Sequence, residues 1–164
     1  MSQVIEFYQG EGRDSEGRTL EEIWGMSDEE LMHNDDVIQW LFPLDQESSF
    51  NPDAPLLTGR DIVLFRLSPQ LRENTLTSFH RFLAVLGLSF EDDSVKETKD
   101  VGLWAAPNHN WLRITRILRS SSLLGNEAEA KALLQFCEAK ATPAAVEFSL
   151  AHWKQTIRNQ VKEE

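Results

Sequence analysis

The chain has 164 residues, of which 41% are hydrophobic and 26% charged, and its formal net charge is −11. This composition is typical of a globular protein and excludes general disorder, and the length predicts a single domain over residues 1–164. The acidity argues against the broad basic surface that nucleic-acid binding needs. No apolar run approaches the roughly 18 residues that a membrane-spanning helix requires.

Helical periodicity dominates the sequence. Apolar residues recur at helical spacing almost throughout, and alternation with a period of two is hard to find, so we expect an all-α fold of roughly seven to eight helices. The first helix is expected over residues 2–9. Two short helices should follow, because Thr19 with Glu22 and Ser27 with Glu30 have the spacing of capping boxes.

The middle of the chain contains three further predicted helices. One should begin with Asp35 as its N-cap and stop at Pro43, before a loop over residues 45–55. The second should be capped by Thr58. The third should start at Ser68 and Pro69, since proline suits the first helical position, and glycine at position 87 can end it. Residues 91–100 are the most polar stretch and are expected to be mobile.

Three more helices are expected in the last third of the chain. The first contains the arginine-bearing residues 108–119 and ends near Gly125. The second covers residues 126–140, which are rich in alanine, leucine and glutamate. The third is an amphipathic helix over residues 142–162. Its apolar stripe consists of Val146, Leu150, Trp153, Ile157 and Val161.

Positive charge is concentrated in the segment from Asn108 to Arg119. Residues 101–126 contain no carboxylate, although three arginines fall there. In a helix, the spacing of His109, Arg113, Arg116 and Ser120 would line up one face. The opposite face would be apolar and consist of Trp111, Ile114, Ile117, Leu118 and Leu124. Guanidinium groups near a helix start suit an anion.

The candidate ligand-binding residues are therefore Asn108, His109, Asn110, Arg113, Arg116 and Trp40. Two interpretations of the arginines remain open: they bind an external anion or peptide carboxylate, or they pair internally with acids such as Asp35 or Asp36. In the first case Arg113→Ala should remove binding and leave the melting temperature nearly unchanged. Trp40 and Trp111 either line the pocket or, as is commoner for large aromatic residues, belong to the core.

Several strings of the sequence resemble one known family in order. They are I-Q-W-L-F-P-L at residues 38–44, F-N-P-D-A-P-L-L-T at 50–58, N-H-N-W-L-R-I-T-R-I-L-R at 108–119 and L-L-G-N-E-A-E-A at 123–130. Together with Gly17–Leu20, they resemble the opioid growth factor receptor conserved domain in its short bacterial form, most strongly over residues 17–130. The resemblance implies a receptor-like domain; animal members are described as receptors for an enkephalin growth peptide acting at the nucleus.

Signals for catalysis are weak. The glycines near the amino end lack dinucleotide-binding spacing, and the four histidines show no metal-ligand spacing, so no cofactor, metal or catalytic residue is predicted. Cys137 lies among apolar residues of a predicted helix, where a buried inert thiol is expected. A single cysteine and the lack of a secretory leader indicate a soluble protein of the cytoplasm.

The leading hypothesis is a non-catalytic binding or interaction module with its site on the arginine-bearing helix. Its partner would be a small anion, a peptide or a protein, and not a nucleic acid. The alternative is an enzyme that acts on a small anionic molecule through His109, Arg113 and Arg116. A third hypothesis is protein interaction through the acidic first part of the chain.

Overall fold

The structure is a computed structural model that describes residues 2–47, 51–104 and 109–140, and these residues form eight α-helices and one antiparallel pair of strands. The elements in chain order are α1 (Gln3–Tyr8), α2 (Leu20–Trp24), α3 (Asp28–Met32), α4 (Asp35–Leu41), α5 (Gly59–Leu67), α6 (Pro69–Val85), β1 (Leu88–Glu91), β2 (Ser94–Glu97), α7 (His109–Leu123) and α8 (Glu127–Lys140). The helix expected over residues 142–162 lies outside the described residues.

The chain divides into two compact units, with the boundary between Val85 and Leu86. The first unit contains α1 to α6, and the second contains the strands, α7 and α8. The single domain expected over residues 1–164 stays a prediction.

Side-chain caps begin several of the helices, as the sequence predicts. The Thr19 hydroxyl accepts a hydrogen bond from the Glu22 N–H at the start of α2. A full reciprocal capping box opens α3. Another opens α5, where Asp61 takes the place usually held by glutamate and its side chain accepts from the Thr58 N–H at 3.0 Å. These bonds satisfy N–H groups that have no partner within the helix.

The start of α4 differs from the prediction by one residue. Asn34, and not Asp35, is its N-cap, and the Asn34 side chain donates instead to the Glu30 carbonyl of the preceding helix at 2.7 Å. Asp35 and Asp36 lie in the first turn, where negative charge interacts favourably with the helix dipole.

The all-α prediction is wrong for residues 88–97, which form a β-hairpin. β1 and β2 pair in antiparallel register, from Leu88 opposite Glu97 to Glu91 opposite Ser94. Asp92 and Asp93 form the two-residue turn with φ of 51° and 62°, the left-handed conformation that two-residue hairpins require. The described part of the chain is therefore mainly helical with one small sheet, and residues 91–97 of the polar segment over residues 91–100 belong to this hairpin.

A buried hydrogen-bond network joins four helices of the first unit. The Tyr8 hydroxyl of α1 donates to the Leu41 carbonyl at the end of α4 and is hydrogen-bonded to Ser78 Oγ of α6 at 2.8 Å. Trp24 Nε1 of α2 donates to the same Ser78 oxygen at 2.9 Å. Burial raises the pKa of Tyr8 well above its usual value, so the phenol stays neutral.

Arg81 lies one turn further along α6 and holds the link between α2 and α3. Its guanidinium group donates to the carbonyls of Trp24 at 3.0 Å and Met26 at 2.7 Å, and to the Asp28 carboxylate at 2.7 Å. Five donors in a planar fork allow one arginine to reach three acceptors. α6 is thus the helix on which the short helices α2 and α3 are fixed.

The second unit is built on the packing of α7 against α8 and of α8 against β2. The apolar face predicted for α7 is confirmed, since its five predicted members are all at most 4% exposed. Trp111 Nε1 donates to the Leu103 carbonyl at 2.8 Å. Cys137 of α8 is fully buried, and burial raises the pKa of its thiol, which supports the expectation of an inert side chain.

Ser78→Ala should lower the free energy of unfolding by about 1–3 kcal/mol, because it removes one partner from Tyr8 and one from Trp24 in a buried site. Urea denaturation measures the change. The neighbouring Thr77→Ala is the matched control, since that residue is exposed and its expected change is within about 0.5 kcal/mol. Equal effects of the two substitutions would contradict the role assigned to the network.

Gly87→Ala should destabilise the second unit by more than about 1 kcal/mol. Gly87 has φ of 76°, and an added Cβ would lie 2.3 Å from the Lys99 carbonyl oxygen. Gly59→Ala is the control, because that glycine is exposed at a helix start and an added Cβ would have no atom within 4 Å. The melting temperature of the Gly59→Ala variant should equal or exceed that of wild type. A Gly87→Ala variant as stable as wild type in thermal denaturation would refute the strained turn.

Candidate functional site

Two of the predicted site residues lie on the buried side of α7. Asn110 is 8% exposed and Arg113 is 6% exposed, and Arg113 Nη1 donates to Asn110 Oδ1 at 3.2 Å. The helix begins at His109, but the side chain of His109 and all of Asn108 lie outside the described residues. The structure therefore brings Asn110 and Arg113 together and gives both a place in the interior of the second unit.

The solvent-facing side of α7 is rotated from the predicted one. Arg113 and Ser120, which were expected on the open face, are buried, whereas Leu112 is 67% exposed and Arg116 and Arg119 are partly exposed. The polar residues Ser120, Ser121 and Ser122 are all buried, so the polarity of the residues does not predict which face of α7 is exposed. The open face consists of Leu112, Thr115, Arg116 and Arg119.

The charge of Arg116 is held in an unfavourable environment. Burial, and after it the positive charge of Arg119, lower the pKa of Arg116 to about 10. The segment over residues 101–126 contains no carboxylate of its own. At a pKa of about 10 Arg116 is still charged near neutral pH, and an opposite charge within a few ångströms would raise the pKa again.

Trp40 belongs to the core of the first unit. It is 2% exposed, and its ring meets Phe7 edge to face, with centroids 5.2 Å apart. This position favours the interpretation of Trp40 as a core residue over its prediction as a ligand contact.

A cavity in the first unit was not anticipated from the sequence. It has a volume of about 490 Å³. Its lining consists of Ser15, Glu16, Asp35, Asp36, Gln39, Asn51 and Asp53. Gln39, 8% exposed, accepts a hydrogen bond from Asn51 Nδ2 at 2.6 Å. The lining residues come from three separated segments, so no local sequence pattern predicts the cavity.

Arg18 neutralises part of this acidic wall. It contacts Asp36 at 3.1 Å and Asp14 at 2.7 Å. Burial works against the charge of Arg18, but its hydrogen bonds and ion pairs with the two aspartates outweigh burial and raise its pKa. Asp36, considered from the sequence as an internal partner for the α7 arginines, is thus engaged by Arg18. The cavity is suited to repel anions.

The described ranges, 2–47, 51–104 and 109–140, contain neither a membrane-spanning helix nor a cluster of metal-ligand side chains. No helix there is both long and apolar enough to cross a bilayer. No three histidine, cysteine, aspartate or glutamate side chains come together there as metal ligands would.

The sequence is similar to known proteins over most of its length. The family model of the opioid growth factor receptor (OGFr) conserved region matches residues 3–162. Opioid growth factor receptor-like protein 1 of Mus musculus is 31% identical over 160 residues, covering 88% of this chain and 34% of that protein. The opioid growth factor receptor of Homo sapiens is 33% identical over 148 residues, covering 80% of this chain and 21% of that protein. No solved structure matches the chain.

Arg113→Ala should destabilise the protein by about 2 kcal/mol or more, because removing a side chain that is 6% exposed leaves a cavity and deprives Asn110 of a donor. The sequence analysis expected Arg113→Ala to leave the melting temperature nearly unchanged, and the burial of Arg113 changes this expectation. Arg119→Ala, at a partly exposed position of the same helix, should change stability by less than about 0.5 kcal/mol. Thermal denaturation of both variants tests the difference, and equal melting temperatures would refute a buried Arg113.

Proposed function

Because the chain belongs to the family of the opioid growth factor receptor conserved region, we propose that it is a non-catalytic binding module whose ligand-binding face includes Arg116 and Arg119 of α7. Two of its relatives, from Homo sapiens and Mus musculus, carry the name opioid growth factor receptor. The chain spans about a fifth of the length of these two relatives and about a third of the length of the receptor-like protein 1 of Mus musculus. The ligand proposed for it is a small anion or the carboxylate of a peptide.

The observation that carries this proposal is the electrostatic state of Arg116. Its guanidinium group lies three residues from that of Arg119 on the helix, and the pKa of Arg116 falls to about 10 through burial and the Arg119 charge. Keeping both groups charged costs free energy in the unliganded protein. An anion placed between them would remove the repulsion and accept charge-assisted hydrogen bonds from both side chains.

The remaining predicted residues have supporting roles in this proposal. Arg113 and Asn110, joined at 3.2 Å, position the first turns of α7 from inside. Asn108 and His109 stay predicted members of the face at the start of the helix, where backbone N–H groups favour negative charge. Trp40, buried in the first unit, is not assigned to the face.

The alternative of an acid–base enzyme has less support. Such an enzyme needs a titratable group beside the guanidinium groups, and His109 is the only histidine or carboxylate-type residue in the segment over residues 101–126. Arg113, expected to act on the substrate, is buried and donates to Asn110. A binding face needs neither a base nor an exposed Arg113.

Arg116→Gln should weaken the binding of pyrophosphate or of a short peptide with a free terminal carboxylate by about tenfold or more, since a hydrogen bond to a charged group contributes about 1.5–3 kcal/mol. Isothermal titration calorimetry at low ionic strength measures the affinity. Arg119→Gln should have a similar effect, and raising the pH above about 10 should weaken wild-type binding as Arg116 loses its proton.

Arg13→Gln is the matched control, because Arg13 is an exposed arginine of the first unit and its replacement changes the net charge equally. It should bind the probes as wild type does. The proposal is wrong if neither probe binds wild type, or if Arg13→Gln and Arg116→Gln lose the same affinity. The stability of Arg116→Gln should stay within about 1 kcal/mol of wild type, because the loss of contacts is offset by the loss of an unfavourable charge.

A further inference from the structure

Helix α5 carries apolar residues on both of its sides. Phe65 is fully buried and Asp61 is 4% exposed on the inner side, which packs against α6. On the outer side Val63 is 53% exposed, Leu64 is 37% exposed and Leu67 is 75% exposed. A surface helix normally presents polar residues to water, and clustered exposed apolar side chains indicate a contact surface. We call Val63, Leu64 and Leu67 the α5 patch.

The three patch residues are neighbours on one face of the helix. Leu67 follows Val63 by four residues and Leu64 by three, which places them within one turn of each other. Arg60 precedes Val63 by three residues and Leu64 by four, so it borders the patch at the amino end of the helix. The patch is therefore a short apolar ridge with a positive group at one end.

The charge around the α5 patch is opposite to that of the rest of the first unit. Residues 54–72 contain three arginines and one carboxylate, that of Asp61, which is buried and held in the capping box of α5. Residues 1–53 and 73–85 contain three arginines and fifteen carboxylates. Net positive charge in this unit is thus confined to the segment that carries the patch.

We propose that the α5 patch docks an amphipathic helix of a partner, whose apolar stripe packs on Val63, Leu64 and Leu67 and whose flanking acidic side chains meet Arg60, within the net positive segment of residues 54–72. Apolar burial would provide affinity, and the opposite charges would set orientation and increase the association rate. A symmetric dimer through this patch is disfavoured, because it would bring together two copies of a segment with the same net positive charge. The proposal does not depend on the α7 face.

The test uses a fluorescein-labelled synthetic peptide with leucines at helical i, i+3, i+4 and i+7 positions and glutamates on both sides of the stripe. Fluorescence anisotropy should show binding to the full chain, weaker at about 0.15 M salt than at low salt because screening reduces the charge attraction. A second peptide with lysines in place of the glutamates should bind at least tenfold more weakly. Equal binding of the two peptides would overturn the charge complementarity.

Two variants locate the peptide on the patch. Leu67→Ser should reduce affinity about tenfold, and since this side chain is 75% exposed the fold should be unaffected. Arg60→Glu should reduce affinity and weaken its salt dependence, whereas Arg13→Glu, which changes the charge equally at another exposed site, should not. The proposal fails if the acidic peptide does not bind, or if Leu67→Ser binds it as wild type does.

Leu67→Ser and Arg116→Gln together distinguish two other outcomes. If Arg116→Gln weakens peptide binding and Leu67→Ser does not, the peptide occupies α7 and the proposal is overturned. If sedimentation shows a dimer of the wild type that Leu67→Ser dissociates, the patch binds a second copy of the chain, which also overturns the acidic partner. A monomer at the concentrations used for anisotropy, together with the loss of affinity in Leu67→Ser, supports the proposal.

Discussion

The first unit depends on the buried hydroxyl of Ser78 in α6. This oxygen is shared by Tyr8 and Trp24, and Tyr8 in turn reaches the end of α4 through the Leu41 carbonyl. Because a polar group buried without a partner costs more than a hydrogen bond contributes, the network favours one relative position of these helices. Helix α5 packs against the same α6, so the orientation of its apolar side follows from a helix that is already fixed.

Positive charge is scarce in this chain, and both proposed faces contain arginines. In the first unit, Arg18 and Arg81 hold loops and helices through ion pairs with aspartates. Further arginines lie in the segments over residues 54–72 and 101–126, which contain one buried carboxylate and none, respectively. Each segment also exposes leucine, at Leu67 and Leu112. The ligands proposed for both faces therefore carry negative charge.

Local signals account for the parts of the fold that could be predicted. The caps at Thr19, Ser27 and Thr58 form as expected, because each bond lies within four residues of sequence. The hairpin over residues 88–97 was missed, because strands of four residues are too short for a period of two to register. A turn with two aspartates was also a weak signal, since glycine or asparagine is the usual indication of a two-residue hairpin.

The sequence by itself determined the family, the helices and the apolar face of α7, because repeated apolar spacing and caps are encoded over short distances. Only the tertiary structure decided which polar side chains are buried. Arg113 and the three serines of α7 look like surface residues in the sequence, yet they are at most 6% exposed. The acidic cavity and the exposed side of α5 were decided in the same way. Burial depends on contacts between distant segments, and the sequence pattern of one helix carries no information about what packs against it.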